Sequence, residues 1–149
     1  MKLKCRFLCL FTITVSLALS SWESTAKPNG EKVSKVSLPD ELLDATGKAV
    51  SGETLSGKYV GLYFSASWCP PCRTFTPKLV EFHNANKAKF EVLLVSADNS
   101  EKAQANYMKK YMMPWLAVKH QSIAANLLVK KMGVRGIPFL VILSPDGSV

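Results

Sequence analysis

The 149-residue chain contains only four cysteines and two histidines, and both scarcities narrow its chemistry. A structural zinc site built on Cys-x-x-Cys asks for a second ligand pair at similar spacing. His83 and His120 do not supply one. Each reads as an ordinary surface or packing residue, and no metal is assigned. Long hydrophobic runs are missing too. Residues 7–19 are apolar apart from Thr and Ser, but shorter than the roughly 18 residues expected of a membrane span. Basic residues outnumber acidic ones, 19 to 11, for a formal charge of +8. Yet the lysines are scattered or come as separate pairs (Lys109-Lys110, Lys130-Lys131), with no basic stripe interleaved with aromatics. That pattern fits a solvated surface and not a nucleic-acid footprint. No nicotinamide or flavin fingerprint is present, so an enzyme-linked electron source has to be a separate protein. There is no internal repeat and no low-complexity segment.

The few cysteines are arranged informatively. Cys69 and Cys72 flank Pro70 and Pro71, directly after an apolar run and directly before a helical pattern. This spacing lets the sulfurs close a small disulfide ring or stand as two neighbouring reactive thiols. Cys5 and Cys9 fall in an N-terminal segment with a basic start (Lys2, Lys4, Arg6), the apolar stretch 7–19, and small residues Ser24 and Ala26 before Lys27. Ala18 and Ser20 offer an earlier cleavage point. This is the pattern of a secretory signal, and neither cysteine follows the small-residue approach of a lipoprotein site. Residues 1–26 are therefore expected to be removed. The mature chain would carry one cysteine pair, a formal charge of about +6, and no stable membrane span. Its expected location is secreted or periplasmic, where disulfides persist. A disulfide closing so short a loop removes little entropy from the unfolded chain, so the pair reads as chemical rather than structural.

The mature chain is long enough for one domain with one core. Residues 27–37, beginning Lys-Pro-Asn-Gly, read as a flexible leader, and residues 38–149 as the domain. Leu42-Leu43, a turn at 45–48 and Val50 predict a short hairpin. Three apolar runs, 59–66 (YVGLYFSA), 90–97 (FEVLLVSA) and 139–143 (FLVIL), are too short for helices and predict strands buried on both faces. Between them lie helical patterns. Phe75, Leu79 and Phe82 share one face, Ser100 caps a helix to about Met112, and Ser122 caps another that Gly133 stops. Strands alternating with helices give an α/β fold with a mostly parallel sheet flanked by helices.

On that scaffold Cys69 stands where a central strand ends and a helix begins. Free N–H groups and the positive end of the helix dipole favour an anion there, and a thiolate is the nucleophile of disulfide exchange. Pro70 and Pro71 suit the first helical turn but remove two of those N–H donors. Cys72 lies one turn further in.

Residues 64–73 (FSASWCPPCR) and 75–79 (FTPKL) resemble the active-site segment of the thioredoxin superfamily, most of all its tryparedoxin and nucleoredoxin branch. Pro77 matches the kinking proline of that helix, Met113-Pro114-Trp115 matches a tryparedoxin-like segment, and Gly136-Ile137-Pro138 matches the cis-proline loop. The resemblance covers about residues 42–147. It implies a thioredoxin-like fold, a thiol–disulfide oxidoreductase of the protein-disulfide reductase type, protein thiols or disulfides as substrates, and a separate electron donor or acceptor protein. It implies no cofactor beyond a redox-active Cys69–Cys72 disulfide. Cys69 would be the nucleophile and Cys72 the resolving thiol. Trp68, Pro70, Pro71, Ile137 and Pro138 would face the substrate, Pro138 in a cis bond. A soft-metal carrier holding Cu(I) between the two thiolates and a redox-inert binding module are the competing functions.

Two features depart from the family pattern, Tyr63 and the ending after residue 147. Tyr63 stands six residues before Cys69, where many thioredoxins place a buried acid, so the group that deprotonates Cys72 is not evident. Arg73 adds positive charge near the thiols but is no base. The turn at Pro145-Asp146-Gly147 should feed another strand and a closing helix, so the fold is expected to lack both. An uncovered edge is then expected at 139–143, with self-association.

Overall fold

The computed structural model describes residues 35–149; the expected signal 1–26, with Cys5 and Cys9, and most of the expected leader lie outside the described residues. The first elements of the described residues form a hairpin, β1 (Glu41–Leu43) and β2 (Ala49–Ser51). Its turn is closed by the Asp44 carboxylate, which accepts from the N–H groups of Thr46 (2.7 Å) and Lys48 (3.0 Å), with Gly47 at φ +85°. There follow β3 (Tyr59–Ser65), α1 (Pro70–Asn86), β4 (Phe90–Ser96), α2 (Glu101–Lys110), β5 (Leu116–Ala117), α3 (Ile123–Lys131) and β6 (Phe139–Leu143). The expected caps are in place. Ser100 Oγ accepts from the Ala103 N–H at 3.1 Å and Ser122 Oγ from the Ala125 N–H at 3.2 Å. Gly133, at φ +61°, follows the end of α3 in a backbone region that costs glycine little.

The strands form one sheet in the order β2-β1-β5-β4-β3-β6. Only its centre is parallel. β3 and β4 run side by side from Tyr59↔Phe90 to Ser65↔Ser96, and β5 lies parallel to β4. β6 is antiparallel to β3, and β1 is antiparallel to both β2 and β5. The α/β class stands, but the sheet is mixed where a mostly parallel one was expected. Helices α1 and α2 are crossovers that carry the chain back to the end of the sheet where the preceding strand began. After α3, the segment 132–138 instead leads the chain in at the far end of β3, pairing Phe139 with Phe64. That reversal carries Ile137 and Pro138 to the place where β3 stops and Cys69 begins.

Side chains of β3 and β4 alternate between two apolar layers. Leu62, Phe64, Leu93 and Val95 join Leu128 of α3 on one face, while Tyr63, Val92 and Leu94 join Leu79, Tyr107 and Trp115 on the other. β6 shares this burial fully only at Leu143. Phe139 is 38% and Ile142 42% exposed, although FLVIL reads as a strand buried on both faces. The reason is its edge position. Among the described residues no strand pairs with its outer side and no helix follows it. An apolar groove of about 330 Å³ remains open between α1 (Phe75, Phe82) and β6 (Leu140, Ile142). At the other end of the sequence Val36 is buried, and its N–H donates to Gly147 O at 2.8 Å. The last residues of the expected leader thus pack on the domain. No helix among the described residues is long and apolar enough to cross a membrane.

Candidate active site

Cys69 is the N-cap of α1, and Pro70 and Pro71 occupy the first helical positions. The prolines contribute no N–H, so the first one the helix offers comes from Cys72. It donates to Cys69 Sγ at 3.3 Å, satisfying one of the donors that a helix N-terminus leaves free. The two cysteines are joined by a disulfide with Cα atoms 5.3 Å apart. Cys69 is 3% exposed and Cys72 not at all, so any partner reaches Cys69 first. Pro77, inside α1, withholds the N–H that the Arg73 carbonyl would otherwise accept. The Arg73 side chain lies on the exposed face.

The remaining residues expected at the site gather around this disulfide. The Ile137–Pro138 bond is cis, Ile137 O lies 3.6 Å from Cys69 Sγ, and Ile137 packs on the small cluster of Ala66, Cys69 and Cys72. Pro70 and Pro71 are exposed and Pro138 is half-buried. Trp68 is 55% exposed, which rules out a core role, yet its indole N–H donates to Ala97 O at 3.1 Å. His83 is buried as a packing residue, with Nε2 2.6 Å from Glu91 Oε1 and its ring against Trp115. His120 Nε2 donates to Asp98 O at 2.6 Å. Among the described residues, no cluster of three or more His, Cys, Asp or Glu is arranged to hold a metal ion.

Behind Cys72 lies a closed chain of hydroxyls. Thr76 Oγ1 donates to Cys72 O at 2.9 Å and sits 2.9 Å from Tyr63 OH and 2.7 Å from Tyr107 OH. Tyr63 OH is also 3.3 Å from Cys72 O, and Tyr107 OH is 3.0 Å from Ser65 Oγ. All four side chains are buried. A consistent arrangement has both phenols donating to Thr76, which donates to the Cys72 carbonyl, while Ser65 donates to Tyr107. Burial pushes the Tyr107 phenol up to about 12, against the lowering effect of its bonds to Ser65 and Thr76. No carboxylate belongs to this network. Thr76 and Tyr107 escaped the sequence reading; the available signal was a threonine one helical turn after Cys72, on the same face.

A second missed group stands against Ser67, the residue before Trp68. Asp98 is 2% exposed. Its Oδ1 accepts from the Ser67 N–H at 2.9 Å and from the Ser67 hydroxyl at 2.6 Å, and its Oδ2 accepts from Ser96 Oγ at 2.7 Å. The signal lay in the strand runs themselves. Two parallel strands that end level, at Ser65 and Ser96, place the residues just beyond them side by side.

Comparison with known proteins gives a coherent picture. Residues 57–149 match the thioredoxin-like family model. The chain is 45% identical over 108 residues to tryparedoxin of Trypanosoma brucei brucei, covering 70% of this chain and 73% of that protein. It is 40% identical over 126 residues to nucleoredoxin of Bos taurus, covering 82% of this chain but 28% of the relative. The chain thus spans little more than a quarter of the nucleoredoxin's length. Among solved structures, thioredoxin from Wuchereria bancrofti superposes with a TM-score of 0.71 at 39% identity, covering 78% of this chain and 83% of that one.

Proposed function

Because the chain belongs to the thioredoxin-like family, as a redox protein of the nucleoredoxin and tryparedoxin kind with a disulfide-forming cysteine pair, we propose that it is an exported protein-disulfide reductase working through Cys69 and Cys72. The observation that carries this reading is the disulfide at the N-cap of α1, facing the cis Ile137–Pro138 bond. In the reduced protein, the Cys69 thiolate attacks one sulfur of a substrate disulfide. That bond breaks, the other substrate sulfur leaves as a thiolate, and a mixed disulfide joins Cys69 to the substrate. Cys72, as thiolate, then attacks Cys69 Sγ and releases the second substrate sulfur, leaving the Cys69–Cys72 disulfide. Two electrons pass to the substrate, and the protons given up by the two cysteines end on the released thiols through solvent. A separate dithiol protein restores the reduced pair.

The helix N-terminus and the Cys72 N–H favour negative charge on Cys69 Sγ. Trp68, Pro70, Pro71, Ile137 and Pro138 form the face on which an extended substrate segment lies. Pro138 has no N–H, and it leaves the neighbouring backbone open to that segment. Export rests on the sequence pattern of residues 1–26 alone. The test is covalent trapping. Cys72→Ser is expected to accumulate mixed disulfides on Cys69, and Cys69→Ser to accumulate none; equal trapping by the two variants would overturn the assignment.

A further inference from the structure

Asp98 is a buried carboxylate that the exchange chemistry does not use. Taking such a charge out of water is costly unless it is well bonded. No Lys, Arg or His side chain lies within ion-pair distance of it among the described residues. Its compensation is a set of short hydrogen bonds to two serines. One is Ser96 at the end of β4; the other is Ser67, held by both backbone and hydroxyl. The Asp98 N–H donates back to Ser96 Oγ at 3.0 Å, and His120 anchors the Asp98 carbonyl. The neighbouring Ala97 continues the same contact strip. Its N–H donates to Ser65 O at 2.8 Å and its carbonyl accepts the Trp68 indole N–H. Residues 96–98 therefore grip residues 65–68 on the stretch leading into Cys69. The product is unusual for a surface aromatic: Trp68 is more than half exposed, yet fixed at both its backbone approach and its indole nitrogen.

We propose that Asp98 is a positioning residue for substrate docking. By holding Ser67 it fixes Trp68 as a rigid ledge beside the disulfide, and so governs how a protein segment seats against Cys69 rather than the exchange step itself. The proposal rests on the protein-disulfide reading above. A preset aromatic surface lowers the ordering cost of binding an extended segment. A small disulfide has little use for that ledge.

The experiment uses the full chain with dithiothreitol as electron source, and compares an insulin disulfide with glutathione disulfide. In Asp98→Ala the ratio of kcat/KM values, protein over small disulfide, is expected to fall about tenfold, as small misplacements of a docking group do, mainly through KM. Asp98→Asn keeps an acceptor for Ser67 and should restore most of the ratio. In parallel, the Trp68 indole N–H resonance, assigned with Trp68→Phe, should move upfield in Asp98→Ala as its bond to Ala97 O loosens. Should Asp98→Ala fail to fold, Ser67→Ala, which deletes only the hydroxyl contact, is expected to lower the ratio about threefold by the same reasoning. An unchanged ratio, an equal loss on both disulfides, or an unmoved indole resonance would each overturn the proposal. A wild type inactive on the insulin disulfide would instead sink the reductase reading, and the indole resonance would still decide whether Asp98 holds Trp68.

Discussion

Replacing Thr76 by valine isolates the hydroxyl hub behind Cys72. Valine has the shape of threonine and a similar helix propensity, so the change deletes one hydroxyl and leaves the volume filled. Three contacts vanish: the donation to Cys72 O and the links to Tyr63 OH and Tyr107 OH, at 2.9, 2.9 and 2.7 Å. Neither phenol is orphaned. Tyr63 OH retains Cys72 O at 3.3 Å and Tyr107 OH retains Ser65 Oγ at 3.0 Å. The loss is therefore that of three net hydrogen bonds at about 1 kcal/mol each, with no added desolvation penalty for an unpaired group. A buried methyl in place of the hydroxyl returns about 0.8 kcal/mol. The expected destabilisation is about 2 kcal/mol, or about 8 °C in Tm for a domain of this size. Urea unfolding of the oxidised protein, with unchanged m, reads it directly. Thr76→Ser keeps the hydroxyl and is expected to lose under ~1 kcal/mol, the value of one buried methyl group. A Thr76→Val variant within about 0.5 kcal/mol of wild type, the floor for a buried bond, would refute the account. So would a serine variant as weak as the valine one, which would trace the effect to methyl packing.

Tyr107 supplies a pH dependence with a fixed sign. Its folded-state value is raised to about 12 from 10.0, so the folded state holds the proton more tightly than the unfolded chain. Its contribution is complete below about pH 10 and fades as pH climbs toward 12, by at most ~1.4 kcal/mol per pH unit. Unfolding curves between pH 9 and 12 should show the decline, and Tyr107→Phe should flatten it; equal slopes would remove Tyr107 as the cause. At the sheet edge, the exposed Phe139 and Ile142 of β6 should promote concentration-dependent self-association, which Ile142→Lys should reduce. Sedimentation of the unmodified chain as a monomer at high concentration would contradict this.

Much of the fold was legible because its strongest signals are local. FLVIL at 139–143 became β6 without a shift of boundary, and Ser100 and Ser122 capped the helices they were expected to cap. Cys69 was placed at a strand-to-helix junction by the pattern on either side of it, and it is there. What stayed hidden depends on tertiary neighbours. The direction of β6 follows from the path of residues 132–138, which carries no periodicity. Its exposure follows from having one neighbouring strand instead of two, a fact about the sheet and not about the residues. Tyr63 was recognised as the absence of an acid, but its partners are the Cys72 carbonyl and the Thr76 hydroxyl, nine and thirteen positions further along, and Thr76 in turn bonds Tyr107 of α2. Asp98 belongs to no sequence motif. Only the level ends of β3 and β4 give it Ser67.

The bond from the Val36 N–H to Gly147 O, with the Lys131 ammonium on Lys35 O at 2.6 Å, brings the first and last stretches of the described chain together. They meet near the foot of β3, where Val60 pairs with Leu143. The disulfide lies beyond the other end of that strand, about 20 Å away at the usual rise per residue. The two ends of the described stretch share one corner, and the disulfide faces elsewhere. Such a body can be spliced into a longer chain like a bead on a string, or circularly permuted with a short bridge, without a linker crossing the catalytic rim.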